Sequence, residues 1–267
     1  MKIIPDGGII PDDRAVSETI GYIIIFGIVI AGIGMVFMIG GQILSDTQES
    51  ASFQGLEQSF EVISSDLKRT AFEESPIMTT RVKIDYGTLA LLPGGASDCE
   101  ILVKDAGSNS YHMPLGVLKF ISDSYGNNIS IENGALVKTY NGDGSFASIM
   151  SSEPRIFYSM PTRTLMISVV NLKGEPSSYG GGIDTIRLRY MDSSMPAFAD
   201  VAGPVTICIR TNNTNAWNNY FSNGLKDTTK YIDPASVGWT NVTIDDADPG
   251  WDIKKLVVVT YNVSVEL

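Results

Sequence analysis

From Ile20 to Leu44 the chain is apolar or small at almost every position, and from Thr19 to Ser45 no side chain is charged. At about 1.5 Å per helical residue, such a run crosses a hydrocarbon core of about 30 Å. It exceeds the apolar stretch of a cleavable secretory signal, about 7–15 residues. It closes on "GGQILSDTQES", which offers no small-residue cleavage site. The pattern therefore predicts a helix that spans or inserts into a membrane. Ser17 offers a capping hydroxyl and Glu18 an anion at the positive end of the dipole, so the helix is expected to start near Ser17. Residues 1–15, with two prolines and a Gly pair, show no helical period and read as an unstructured leader.

Beyond the apolar run the period of 3.6 continues. Phe53, Leu56, Phe60, Ile63 and Leu67 recur at spacings of 3, 4, 3 and 4, with Gln, Glu, Ser and Asp opposite. Lys68 and Arg69 suit a helix C-terminus, and Pro76 forbids much continuation. One long helix over 16–75 follows, hydrophobic over 20–44 and amphipathic over 45–72. Its amphipathic stripe packs either on the chain's own following domain or on a neighbouring copy.

After Pro76 the period falls to two. "TTRVKIDYGTLALL", "CEILVKD", "TLMISVVNL", "DTIRLRYM" and "VTICIRT" are short β-branched runs divided by Gly, Asn, Ser and Pro. Near the C-terminus Val257, Val259, Tyr261, Val263, Val265 and Leu267 alternate with Val258, Thr260, Asn262, Ser264 and Glu266, as in a half-buried strand. The expected fold class is α+β: the long helix, then an antiparallel β-sandwich head over 76–267. "TNNTNAWNNYFSNG" and "NLKGEPSSYGGGID" are expected to be surface loops.

A net charge of −11 argues against nucleic acid as a partner and keeps an exported head soluble. Lys2 and Arg14 precede the apolar run whereas Lys68 is the first cation after it, which favours a cytoplasmic N-terminus and an extracellular head. Sequons at Asn128, Asn212, Asn241 and Asn262 all follow the run, as glycan acceptors or as chance in an Asn-, Ser- and Thr-rich chain. Cys99 and Cys208 are either a disulfide in an oxidising space or two buried free thiols.

Candidate chemistry in the head is sparse. Asp246, Asp248 and Asp252, with Asp245 and Gly250, space carboxylates as a calcium loop does, but without the distal Glu and flanking helices of an EF-hand. A solvated acidic turn is the expected reading, and neither a metal nor another cofactor is expected. His112 is the single histidine, so any triad or His cluster would depend on it alone. Gly180 to Gly182 read as a turn into a strand. Trp217, Tyr220 and Phe221 form either an adhesive tip for a surface glycan or protein, or the core of a folded-in loop. No enzymatic activity is expected.

The stretch "DRAVSETIGYIIIFGIVIAGIGMVF" resembles the N-terminus of archaeal type IV pilin-like proteins, relatives of archaellins. Members read close to D-R-A/G-V-S-P-V-I-G before an uncharged helix. Arg14-Ala15 matches the processing dipeptide, Val16-Ser17 follows, and Ile20-Gly21 falls in register. The resemblance covers about the first 45 residues. It implies cleavage by a prepilin peptidase after Ala15, leaving Val16 as the mature N-terminus. Glu18-Thr19 replaces the usual Pro-Val pair, and Ile20 occupies the position where bacterial pilins carry Glu. The resemblance further implies a helix that leaves the bilayer to pack among other pilin-like subunits. Gly27, Ala31 and Gly34 would allow close approach, although Gly is also common in membrane helices generally. So large a head suits a minor or tip, adhesin-type subunit at the cell surface. The alternative is a membrane-anchored monomeric ectodomain that binds a ligand and never polymerises.

Overall fold

A computed structural model describes residues 13–267 except 108, 124–125, 143–144, 202, 226–227, 234–237 and 248–251. In chain order the elements are α1 (Asp13–Phe72), β1 (Ile77–Ile84), β2 (Thr88–Leu92), β3 (Glu100–Lys104), β4 (Ser110–Pro114), β5 (Val117–Ile121), β6 (Asn128–Glu132), β7 (Ala135–Gly142) and β8 (Ser145–Ser152). They continue with β9 (Ile156–Ser159), β10 (Thr164–Lys173), β11 (Ser177–Tyr179), β12 (Gly182–Asp200), β13 (Val205–Arg210), α2 (Thr214–Asn223), β14 (Thr228–Asp233), β15 (Trp239–Asp246) and β16 (Lys255–Glu266). The chain divides into two compact units, up to Ala51 and from Ser52 onward.

The first unit is the apolar part of α1. Among the described residues, Ile20–Gly41 is the one helical segment long and apolar enough to cross a membrane, and none of it is buried. Phe26, Phe37 and Met38 are 66%, 77% and 80% exposed. A segment of this length, composition and position is that of a membrane anchor or a signal sequence. Helical structure is already present at Asp13, so Ser17 lies inside α1 and is not its cap. From Asp13 to Ile20 there is neither Pro nor Gly to interrupt the helix.

The second unit is β-rich, with three sheets in place of one simple sandwich. The first has the order β1-β12-β16-β10-β9, the second β11-β2-β5-β6-β7-β8 and the third β14-β15-β13-β3-β4. Pairing is antiparallel throughout except between β10 and β16, which run parallel.

The first sheet is shared by two apolar cores. Along β16, Leu256 and Val258 enter one core and Val263 and Val265 the other. The burial phase changes between Thr260 and Val263, so the strand turns opposite faces inward over its two halves. β10 does the same, with Leu165, Ile167 and Val169 in one core and Val170 and Leu172 in the other. The expected single inward face of the C-terminal strand is thus replaced by two.

One core contains the amphipathic part of α1. Phe53, Leu56, Phe60, Ile63, Leu67 and Ala71 are all buried against residues of the first and second sheets, including Val82, Phe120, Ile131 and Val265. Of the two expectations for this stripe, packing on the chain's own head is the one seen. Polar ties flank it: the Tyr140 hydroxyl donates to Glu57, Lys138 pairs with Glu61 at 2.8 Å, and Thr80 donates to Asp66 at 2.9 Å. Lys68 donates to Ser152 and to the Glu153 carbonyl, each at 2.7 Å, so it serves β8 as well as the helix end. Beside Glu57, the Tyr140 hydroxyl has its pKa pushed up to about 12, by burial first and then by the carboxylate.

The other core lies between the third sheet, α2 and the remaining half of the first sheet. α2 occupies the stretch expected to be an open Asn-rich loop.

Candidate functional site

A two-residue turn begins the site. Asn133 and Gly134 join β6 to β7 with φ of 50° and 71°, the left-handed pair that a tight hairpin needs and that Asn-Gly supplies at low cost. Alternation along β6 sends Ile129 and Ile131 into the core that holds α1, and Ser130 and Glu132 to the opposite face. Glu132 is 2% exposed. Its carboxylate accepts from Trp217 Nε1 at 2.7 Å, from Thr211 Oγ1 at 2.8 Å and from Asn213 Nδ2 at 3.4 Å. The Cys99 thiol lies 3.8 Å away as a fourth, weaker donor.

Asn213 stands at the start of α2 without capping it through its side chain. Its amide instead bridges the sheet: Nδ2 donates to Ser130 Oγ at 2.9 Å and Oδ1 accepts from Thr139 at 3.1 Å. Thr139 continues to Ser148 at 3.1 Å. The network adjoins a cleft of about 520 Å³, whose other lining residues include Ser97, Lys119, Asn128, Asn212 and Asn215.

Burial pushes the Glu132 carboxyl above its usual range, against the pull of its Trp217, Thr211 and Asn213 donors. The Cys99 thiol is held well above its ordinary value, by burial first and then by Glu132. A thiol so placed is a poor nucleophile. The arrangement organises the start of α2 and its seat on the second sheet.

The sequence-selected residues fall elsewhere. Trp217, Tyr220 and Phe221 form no exposed tip. They are buried on one face of α2 with ring centroids 5.3–6.0 Å apart. Cys99 and Cys208 are both free and buried, and no disulfide joins them. Their register explains this: Cys208 pairs with Leu102, whereas Cys99 shares the inward parity of Ile101 and Val103, so the two thiols face opposite sides of the third sheet. Of the calcium candidates, Asp248 lies outside the described residues. Asp246 is 5% exposed and accepts the Tyr158 hydroxyl, whose pKa is pushed up by burial and by that carboxylate, while Asp252 is exposed. Among the described residues no cluster of three His, Cys, Asp or Glu is placed to hold a metal. His112 sits on the edge strand β4 with Nε2 2.9 Å from Glu100, which also meets Arg210. Gly181 and Gly182 turn the chain into β12 with φ of 85° and 104°. Arg14, Ala15 and Val16 lie in the first turn of α1.

The sequons differ in access. Asn262 is engaged at both amide atoms, donating to Asp192 at 2.6 Å and accepting from Asn171 at 3.4 Å. Asn241 is half-buried in β15 between two strands, and Asn128 donates to the Gly126 carbonyl. Asn212 is exposed on the loop before α2. Glycopeptide mass spectrometry of surface material is expected to find any N-glycan at Asn212 and none at Asn262.

A family described as of unknown function, DUF7289, matches residues 14–266, nearly the whole chain. The chain belongs to the DUF7289 family. An uncharacterized protein of Archaeoglobus fulgidus is similar to it, 33% identical over 103 residues. That match covers 39% of this chain and 34% of the relative, so the DUF7289 chain aligns with about a third of that protein's length. No solved structure matches.

Proposed function

We propose that the chain is a structural subunit of an archaeal type IV pilus-like surface filament, of the minor or tip kind, and that it performs no catalysis. A prepilin peptidase would cut after Ala15, and the apolar helix would then exchange lipid for the helices of other subunits while the head is displayed outside the cell. The observation that carries this reading is the Ile20–Gly41 segment: uncharged, exposed all round, and preceded within one helix by Arg14-Ala15. A soluble domain would not leave such a surface to water. Gly21, Gly27, Gly32 and Gly34 place small residues along this segment, which supports close approach by a neighbouring helix. The archaeal relative supports the archaeal setting of this reading.

The polar cleft beside Glu132 favours a second reading, a monomeric anchored ectodomain that binds a ligand there. Shearing cells that make the chain separates the two. Recovery in filaments visible by electron microscopy is expected; recovery only as a detergent-extracted monomer would leave the ectodomain.

A further inference from the structure

On the first sheet, the face turned away from the α1-containing core is basic. Arg81 and Lys83 of β1 alternate with inward Val82 and Ile84. Arg187 and Arg189 of β12 alternate with inward Ile186 and Leu188. Thr79 lies opposite Arg187 and Thr185 opposite Arg81, so Arg81 and Arg187 are diagonal neighbours. Arg189 lies opposite Ser264, which in turn lies opposite Lys173 of β10. With strands about 4.8 Å apart and about 3.4 Å per residue, the five cations share a patch about 15 Å wide and 20 Å long.

Among the described residues carboxylates pair with two of them, Glu266 at 2.8 Å from Arg187 and Asp85 at 2.7 Å from Lys83. Arg81, Arg189 and Lys173 form no ion pair among the described residues. Ile77 and Ile183, 52% and 66% exposed, stand on the same face. Like charges on neighbouring strands work against a sheet, so this concentration calls for an anionic partner. Arginine beside exposed aliphatic side chains is also the composition of a protein interface.

From this face we infer that it docks on the carboxylate-rich surface of a second copy of the chain. Charge complementarity selects that occupant. The chain has 19 Lys and Arg against 30 Asp and Glu, and concentrating five cations here leaves the rest of each copy still more acidic. A basic face meeting a different, acidic surface is a heterologous contact, able to join the few copies that a minor subunit contributes. The inference rests on the filament reading for its partner.

The test is carbodiimide cross-linking, which joins an amine directly to a carboxylate, on full-length chain in its own membrane. Mixing unlabelled and nitrogen-15-labelled copies marks links between molecules. Mixed-label peptides containing Lys83 or Lys173 are expected, fewer at high salt, and lost in the Arg187→Glu, Arg189→Glu double variant with its melting temperature retained. Absence of such links, or their persistence in the double variant, overturns the inference. Capture of the wild-type chain by phosphatidylglycerol vesicles, without copy-to-copy links, assigns the face to lipid and overturns it equally. Filaments lacking these links would sink this interface alone. Links in cells without filaments would sink the filament reading alone.

Discussion

Replacing Glu132 by Ala is expected to lower the stability of the head by about 2–6 kcal/mol, from two buried donors left without an acceptor at about 1–3 kcal/mol each. Those donors are Trp217 Nε1 and Thr211 Oγ1, and Asn213 loses a partner as well. Glu132→Gln keeps one acceptor and should cost less. The two variants also separate charge from shape. Burial holds the folded carboxyl above its ordinary value of 4.5, so the folded state keeps a proton that the unfolded state has lost. The stabilisation this gives is complete below pH 4.5 and is lost as pH rises through the folded-state value. Denaturant midpoints of the full chain in detergent, followed by tryptophan fluorescence, should fall over that window in the wild type. The same component should be absent in Glu132→Gln. Equal pH profiles for the two proteins would mean that the fold leaves the Glu132 carboxyl at its unfolded-state value and would contradict the upward shift.

Phe60→Ala should destabilise the same unit by about 3–5 kcal/mol, the usual range for emptying a fully buried aromatic site. Phe60 has no exposed surface and lies in the core between α1 and two sheets. Val62, two residues on and 51% exposed, is the control: Val62→Ala should stay within about 0.5 kcal/mol. Comparable losses at both positions would show that the helix does not present the face seen here.

That stripe was legible in the sequence because helical periodicity is local: five apolar residues at spacings of 3 and 4 define a face whatever the rest of the chain does. Strand content was legible for the same reason. Sheet membership was not, because it depends on pairs far apart in the chain, such as the parallel partners Asn171 and Asn262, 91 residues apart. The double use of β16 was hidden too, since Val257 to Leu267 alternate smoothly while the face turned inward changes midway. α2 is not legible in the sequence because "TNAWNNYFSN" is poor in strong helix formers. Tertiary anchoring overrides that propensity, with Trp217 tied to Glu132 and Tyr220 and Phe221 packed in the core. Glu132 itself carried no signal, because a carboxylate before an Asn-Gly turn reads as solvated until α2 closes over it. The basic face was equally silent, its cations being brought together from three separate strands.

The central claim is that Arg14-Ala15 marks where the chain is cut before its apolar helix enters an assembly. The mature N-terminus of the native protein, measured by intact mass and terminal peptide sequencing from its own envelope, tests it most directly. A start at Val16 is the predicted result. Retention of the residues before Arg14 in the membrane-resident protein would contradict it and leave a plainly anchored ectodomain.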